Sequence, residues 1–113
     1  MSSDFAPTGV RICGIADALA LVGDRWALLA LREIGLGVTR FSDIQLHTGA
    51  PRASLTARLR ALEAAGLVER RRYQEHPPRD EYLLTEAGRD LRPILGQLRE
   101  WGDRYASPLV RAR

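Results

Sequence analysis

The sequence predicts a mainly α-helical fold carrying one small β-hairpin. Two observations carry that prediction. The first 65 residues hold a succession of helix-like apolar patterns, several with their own start and stop residues. Two strand-like runs then face each other across the tip QEHPP, residues 74–78, and a capped helical stretch follows them.

Each element can be justified in turn. Residues 1–12 read as a tail, and the pattern from Gly14 to Leu21 suggests a short first helix. Asp24 supplies an N-cap for a second, RWALLALREIG, which Gly35 and Gly37 stop. Trp26, Leu28, Leu29, Leu31 and Ile34 make that helix apolar nearly all round, so it belongs in the core. Thr39 to Phe41 is expected as a very short strand. Ser42 with Gln45 three residues on reads as a capping box for SDIQLH. Thr48-Gly49-Ala50 is a turn, and Pro51 suits the first position of the next helix, since its missing N–H costs nothing there.

That next helix is expected to run to about Ala65 and to be stopped by Gly66. Leu55, Leu59 and Leu62 fall on one side, the side that must pack. Ala53, Thr56, Ala57 and Arg60 fall on the other: small residues that permit close approach, with one long cation. After the hairpin, Thr85 can cap a last helix with Glu86 in its first turn. Leu91, Leu98 and Tyr105 recur every seven residues with Ile94 and Trp101 interleaved, a short two-position seam. Packing on the chain's own core is the plainer reading of that seam; a dimer interface is the one a domain this small favours. Pro93 should kink the helix near Arg89. Residues 108–113 read as a second tail, which leaves 13–107 as one domain.

Composition narrows the function. The chain has 113 residues, enough for one compact domain, with 45% apolar and 27% charged residues. No apolar stretch is long enough to span a bilayer. The opening MSSDFAPTGV lacks the pattern of a secretory signal, and one cysteine allows no internal disulfide, so a reducing cytoplasm is the expected location, with no membrane partner. The net charge is +3, and all of the basic residues are arginine. Between Arg52 and Arg79 seven arginines meet three glutamates, a local balance of +4, while the remainder sums to −1. A neutral body with one basic middle is either a solvated charged face or the footprint of a nucleic-acid binder.

Order decides between those two. Helix, glycine-bearing turn, helix, then a basic hairpin is the winged helix-turn-helix order, whose second helix enters the major groove of double-stranded DNA. An arginine on that helix can reach paired acceptors on guanine, and a threonine can touch a thymine methyl. Candidate contacts are Arg52, Ala53, Ser54, Thr56 and Arg60 on the helix. On the wing they are Arg71, Arg72, His76 and Arg79, expected to serve mainly phosphates or the minor groove beside them and so to position rather than specify. In the tip, paired prolines cannot donate ladder hydrogen bonds, so pairing stops and a stiff loop projects. Glu75 has no evident role there. His47 and His76 form no metal-ligand spacing with Cys13, and the acidic pairs Asp80/Glu81 and Glu63/Glu69 have no companion nucleophile. Neither a cofactor nor a catalytic constellation is expected. The rival reading is a winged-helix protein–protein module whose arginines meet an acidic partner.

These residues also resemble a known family. The runs CGIADALALVGDRWALLALREI, RFSDI and LTARLRALEAAGLVERRRYQEHPPRDEYLLTEAGRDL are similar to the HxlR family of bacterial winged-helix transcription regulators, over about residues 13–105. The resemblance implies a homodimer built from terminal helices, a pseudo-palindromic operator, a recognition helix from Pro51 to Ala65 and a wing from Tyr73 to Arg79. The seam Leu91, Ile94, Leu98, Trp101 and Tyr105 would then lie in the dimer interface. Two departures stand out: Gly14 where the family often has proline, and Pro51, Ala53 and Ser54 where it often has polar or basic residues, so the operator sequence does not carry over. Some relatives sense oxidants or electrophiles through a cysteine at the place of Cys13. A thiol ahead of a helix N-terminus gains thiolate character, whereas a lone cysteine can equally be a small apolar residue. A small-molecule effector in an apolar pocket between dimer helices also fits this reading.

Overall fold

The computed structural model describes residues 4–112. In chain order they form α1 (Gly14–Val22), α2 (Arg25–Gly35), α3 (Phe41–Thr48), α4 (Arg52–Ala64), β1 (Val68–Gln74), β2 (Arg79–Leu84), α5 (Glu86–Arg89) and α6 (Arg92–Trp101). A π-helical segment, Gly102–Ala106, and α7 (Ser107–Val110) complete the order.

The core is a helical cluster closed by the root of the hairpin. Leu31 and Ile34 of α2, Ile44 of α3, and Leu55, Leu59 and Leu62 of α4 are buried together with Leu67 and Val68. Burying a leucine fully is worth about 1.5–3 kcal/mol, so the three on α4 hold that helix by one face and leave the other free. The Asp24 cap forms as expected: its carboxylate accepts from the backbone N–H of Trp26 at 2.8 Å and of Ala27 at 3.2 Å. Gly49 and Gly66 take positive φ of 74° and 79°, so the chain reverses after α3 and after α4 where only glycine does so without strain.

Several expectations are corrected. Residues 39–41 are not a strand: Phe41 already begins α3, and β2 meets this segment through one backbone bond, Tyr82 N–H to the Thr39 carbonyl at 2.8 Å. The capping box does not form either. Ser42 lies inside α3, Arg40 is its N-cap with no side-chain cap bond, and Gln45 donates instead to the Ala50 carbonyl at 3.3 Å. The helix starts early because Phe41 packs against the core. Pro51 stands one residue before α4, with an extended ψ of 142°. The second helix is not apolar all round. It buries Ala27, Ala30, Leu31 and Ile34, leaves Leu29 half-buried, and takes the carboxylate of Glu33 inside with them.

β1 and β2 pair antiparallel from Val68↔Leu84 to Arg72↔Asp80, and an irregularity between Arg72 and Gln74 brings Gln74 opposite Arg79. Thr85 then ties three pieces together. Its hydroxyl donates to the Gly66 carbonyl at 2.6 Å, accepts from Gly88 N–H at 3.2 Å, and so caps α5 as expected. The last helix breaks at Asp90–Leu91, beside the position where Pro93 was expected to kink it, and Pro93 restarts it within the first turn of α6. Helical structure continues to Val110, into the stretch read as a tail. Among residues 4–12, an isolated bridge joins Phe5 and Arg11.

Candidate nucleic-acid interface

The interface is built on α4. With Leu55, Leu59 and Leu62 fixed inward, helical geometry turns Ala53, Ala57 and Arg60 to solvent. Arg52 is exposed at the first turn, and Ser54 and Thr56 are half-buried along the flanks. The Thr56 hydroxyl donates to the Arg52 carbonyl at 2.9 Å, so its donor is spent and its methyl and lone pairs remain. The exposed strip is therefore narrow and nearly featureless except for two guanidiniums. A backbone so lightly clothed can approach the floor of a groove.

Around the helix, arginines rest on aromatic rings. The Arg52 guanidinium lies 5.3 Å from the Phe41 ring centre, Arg40 lies 4.5 Å from Tyr73, and Arg25 lies 5.2 Å from Trp26. Such contacts hold a cation by its flat face and leave its edge N–H groups for an acceptor. None of these three arginines enters an ion pair among the described residues. Arg25 and Arg40 lie outside the basic stretch 52–79, so charge counting does not point to them. The shelf under Arg40 is Tyr73, thirty-three residues away, and no spacing rule reveals that.

The wing is different. Arg71 meets Glu81 at 3.2 Å and Arg72 meets Asp80 at 3.2 Å, each pair directly cross-strand. Arg70 bridges Glu63 of α4 at 3.8 Å and Asp80 at 4.0 Å. Glu75, without a role in the sequence, lies 3.8 Å from Arg72 and so closes the series at the tip. Gln74 braces that tip by donating to the carbonyls of His76 and Pro77, both at 3.3 Å. Of the four wing residues expected to serve phosphate, Arg71 and Arg72 are thus locally neutralised, while Arg79 and His76 are exposed and enter no ion pair among the described residues.

Glu33 anchors the two-helix unit from below. Its buried carboxylate accepts from Arg32 Nε at 2.7 Å and contacts His47 Nδ1, at the end of α3, at 2.8 Å. Burial pushes its carboxyl up, but the hydrogen bonds from Arg32 and His47 and their charges outweigh that and hold it below the ordinary value. Arg32 also donates to the His47 carbonyl at 3.3 Å, so α2 grips the end of α3 at two points. Burial raises the phenol of Tyr82, which packs on the core beneath the hairpin.

The remaining candidates lie elsewhere. Cys13 is the N-cap residue of α1, half-buried and making no side-chain cap bond. Along α6 and beyond, Ile94, Leu98, Trp101 and Tyr105 are each more than half exposed, whereas Leu91 packs on the core. The Trp101 and Tyr105 rings touch at 5.6 Å, across the start of the π-helical segment. No group of three or more His, Cys, Asp or Glu side chains suited to a metal occurs among the described residues, and no described helix is long and apolar enough to cross a membrane.

Helix, turn, helix and charged hairpin, with the second helix held by one face, define a winged helix-turn-helix regulator. The chain belongs to the family described as HxlR-like helix-turn-helix, whose model matches residues 21–109. It is 50% identical over 91 residues to the HTH-type transcriptional regulator Rv3095 of Mycobacterium tuberculosis, across 80% of this chain and 58% of that protein. The chain thus spans little more than half the length of that relative. With the HTH-type transcriptional regulator YdeP of Bacillus subtilis it shares 32% identity over 103 residues, 90% of this chain and 80% of YdeP. In structure it is similar to the redox regulator HypR in its reduced form, with TM-score 0.76 and 33% identity over 88% of this chain and 99% of that one. It is also similar to the reduced form of the transcriptional regulator YodB from B. subtilis, with TM-score 0.69 and 29% identity over 86% and 97% of the two chains.

Proposed function

We propose that this regulator acts as a homodimer, most simply a repressor, that reads a pseudo-palindromic operator through α4. The observation that carries the reading is the outward strip of α4, in which Ala53, Ala57 and Arg60 stand beside Arg52 on its aromatic shelf. Arg60 and Arg52 read base edges; Ala53, Ser54 and Thr56 let the helix approach. Arg40, Arg79 and His76 hold phosphates on either side, and Arg71 and Arg72 exchange their carboxylates for phosphate only as the duplex closes on the wing. The exposed seam from Ile94 to Tyr105 supplies the dimer contact, and two copies of α4 then stand about 34 Å apart, one turn of duplex.

A signal enters through Cys13. It occupies the N-cap position of α1, and the structurally similar HypR bears the name of a redox regulator. Oxidation to a disulfide joins two subunits or captures a small thiol, since the chain has one cysteine. Domain 13–107 carries all these parts, and the cytoplasm is their place of work. The reading is tested by fluorescence anisotropy on the DNA upstream of its own coding sequence, with and without diamide, together with sedimentation analysis. Dimers binding that DNA with affinity altered by diamide in the wild type, but not in Cys13→Ser, are expected. A monomer without DNA affinity refutes the core of the reading; diamide-insensitive binding refutes the cysteine's part alone.

A further inference from the structure

An open groove of about 370 Å³ runs between the end of α2, the root of the hairpin and the α5–α6 corner. Ile34, Leu83 and Leu84 give it apolar walls, and Gly35 and Gly37 keep its rim free of side chains. A Cβ at Gly35 would stand 3.6 Å from Arg92 Cγ and 3.8 Å from Leu84 Cδ1, so the Arg92 stem itself forms one wall.

Three charged side chains, Arg89, Arg92 and Glu69, line this groove without an ion pair among the described residues. On the hairpin just beyond, Arg70, Arg71 and Arg72 all have carboxylates within reach. Arg89 is fixed by donating Nη1 to the Leu84 carbonyl at 3.0 Å, which leaves its other N–H groups available. Two unpaired guanidiniums on an apolar groove are the donor set for a carboxylate, which arginine binds through paired N–H groups. Glu69 is an acceptor for a hydrogen-bond donor on the same ligand.

We propose that this groove binds a small organic carboxylate with an apolar body and a hydroxyl or amine remote from the carboxyl. Its walls come from the hairpin on one side and the start of α6 on the other. A ligand there ties the wing to the helix that carries the exposed seam, and so biases the angle between DNA-reading unit and dimer contact. That consequence rests on the regulator reading; occupancy of the groove does not.

The probes are 4-hydroxybenzoate, benzoate and the uncharged 4-hydroxybenzamide, each titrated into the full chain by calorimetry. Saturable binding is expected for the hydroxy acid, weaker binding for benzoate and none for the amide. Arg89→Gln and Arg92→Gln keep their stems and should each weaken the hydroxy acid about tenfold, the cost of a charged hydrogen bond. Arg99→Gln, outside the groove, should leave it unchanged, with circular dichroism melts confirming that every variant folds. Absence of binding by both acids overturns the proposal, as does binding that both groove variants retain in full. Anisotropy with the upstream DNA separates the two readings. Acid binding without DNA binding sinks the regulator reading and keeps the site, and DNA binding without acid binding does the reverse.

Discussion

The helix α4 carries three arginines and the paired strands of the hairpin four, and most of them are used in opposite ways. On α4, Arg52 is stacked on Phe41, and Arg60 stands exposed outside any ion pair among the described residues. On the hairpin, Arg70, Arg71 and Arg72 face Glu63, Glu81, Asp80 and Glu75. Local net charge therefore overstates what the wing offers a polyanion and understates the helix. Exposed ion pairs contribute little stability; on the reading proposed above, the hairpin's pairs set a threshold that phosphate must beat.

The contrast can be broken in several places. The largest effect is expected from the inward side of α4: Leu59→Ala should cost about 2–5 kcal/mol of stability, read by urea denaturation. Glu81→Ala on the hairpin removes a partly buried carboxylate that pairs with Arg71 and accepts from Thr39 Oγ1 at 3.1 Å, and should cost about 0.5–1.5 kcal/mol, less than the core change. Next comes Arg60→Ala, which should lose about 1–3 kcal/mol of discrimination between the preferred duplex and a single-base variant, read by competition anisotropy. Arg79→Ala should weaken every sequence alike and reduce the salt slope by about one. Arg71→Ala should do less than Arg79→Ala, because Glu81 already offsets its charge; an equal loss would show that the cross-strand pair does not persist in solution.

The smallest effect concerns Glu33, which joins α2 to the end of α3. Glu33 titrates lower in the folded chain than in the unfolded one, because Arg32 and His47 bind its charged form. Its contribution is complete above the ordinary carboxylate value of 4.5 and is lost as pH falls through the lower folded value. Glu33→Gln should therefore flatten the fall in melting temperature below about pH 4.5 while lowering the plateau at neutral pH. A parallel acid profile in the variant would assign the loss to other groups.

Much of this was legible in the sequence wherever local chemistry decides. Asp24 and Thr85 cap as their side chains require, Gly49 and Gly66 turn the chain, and Leu55, Leu59 and Leu62 pack from periodicity alone. Illegible were the features set by long-range contact. The shelf of Arg40 on Tyr73, the burial of Glu33 against His47 and the register that places Glu81 opposite Arg71 all join distant segments. Thr39 to Phe41 misled for the same reason, since packing of Phe41 extends α3 over a residue that reads as strand. Glu75 needed the folded tip to reveal Arg72 beside it.

The proposed division of labour has the outward strip of α4 reading bases and the wing only positioning the duplex. Its most direct test compares Arg60→Ala and Arg79→Ala in anisotropy titrations on the upstream duplex and on a scrambled duplex of equal length. Arg60→Ala is expected to lower the ratio of specific to non-specific affinity, whereas Arg79→Ala is expected to lower both affinities and leave their ratio intact. An unchanged ratio in Arg60→Ala, or a collapsed one in Arg79→Ala, would contradict it.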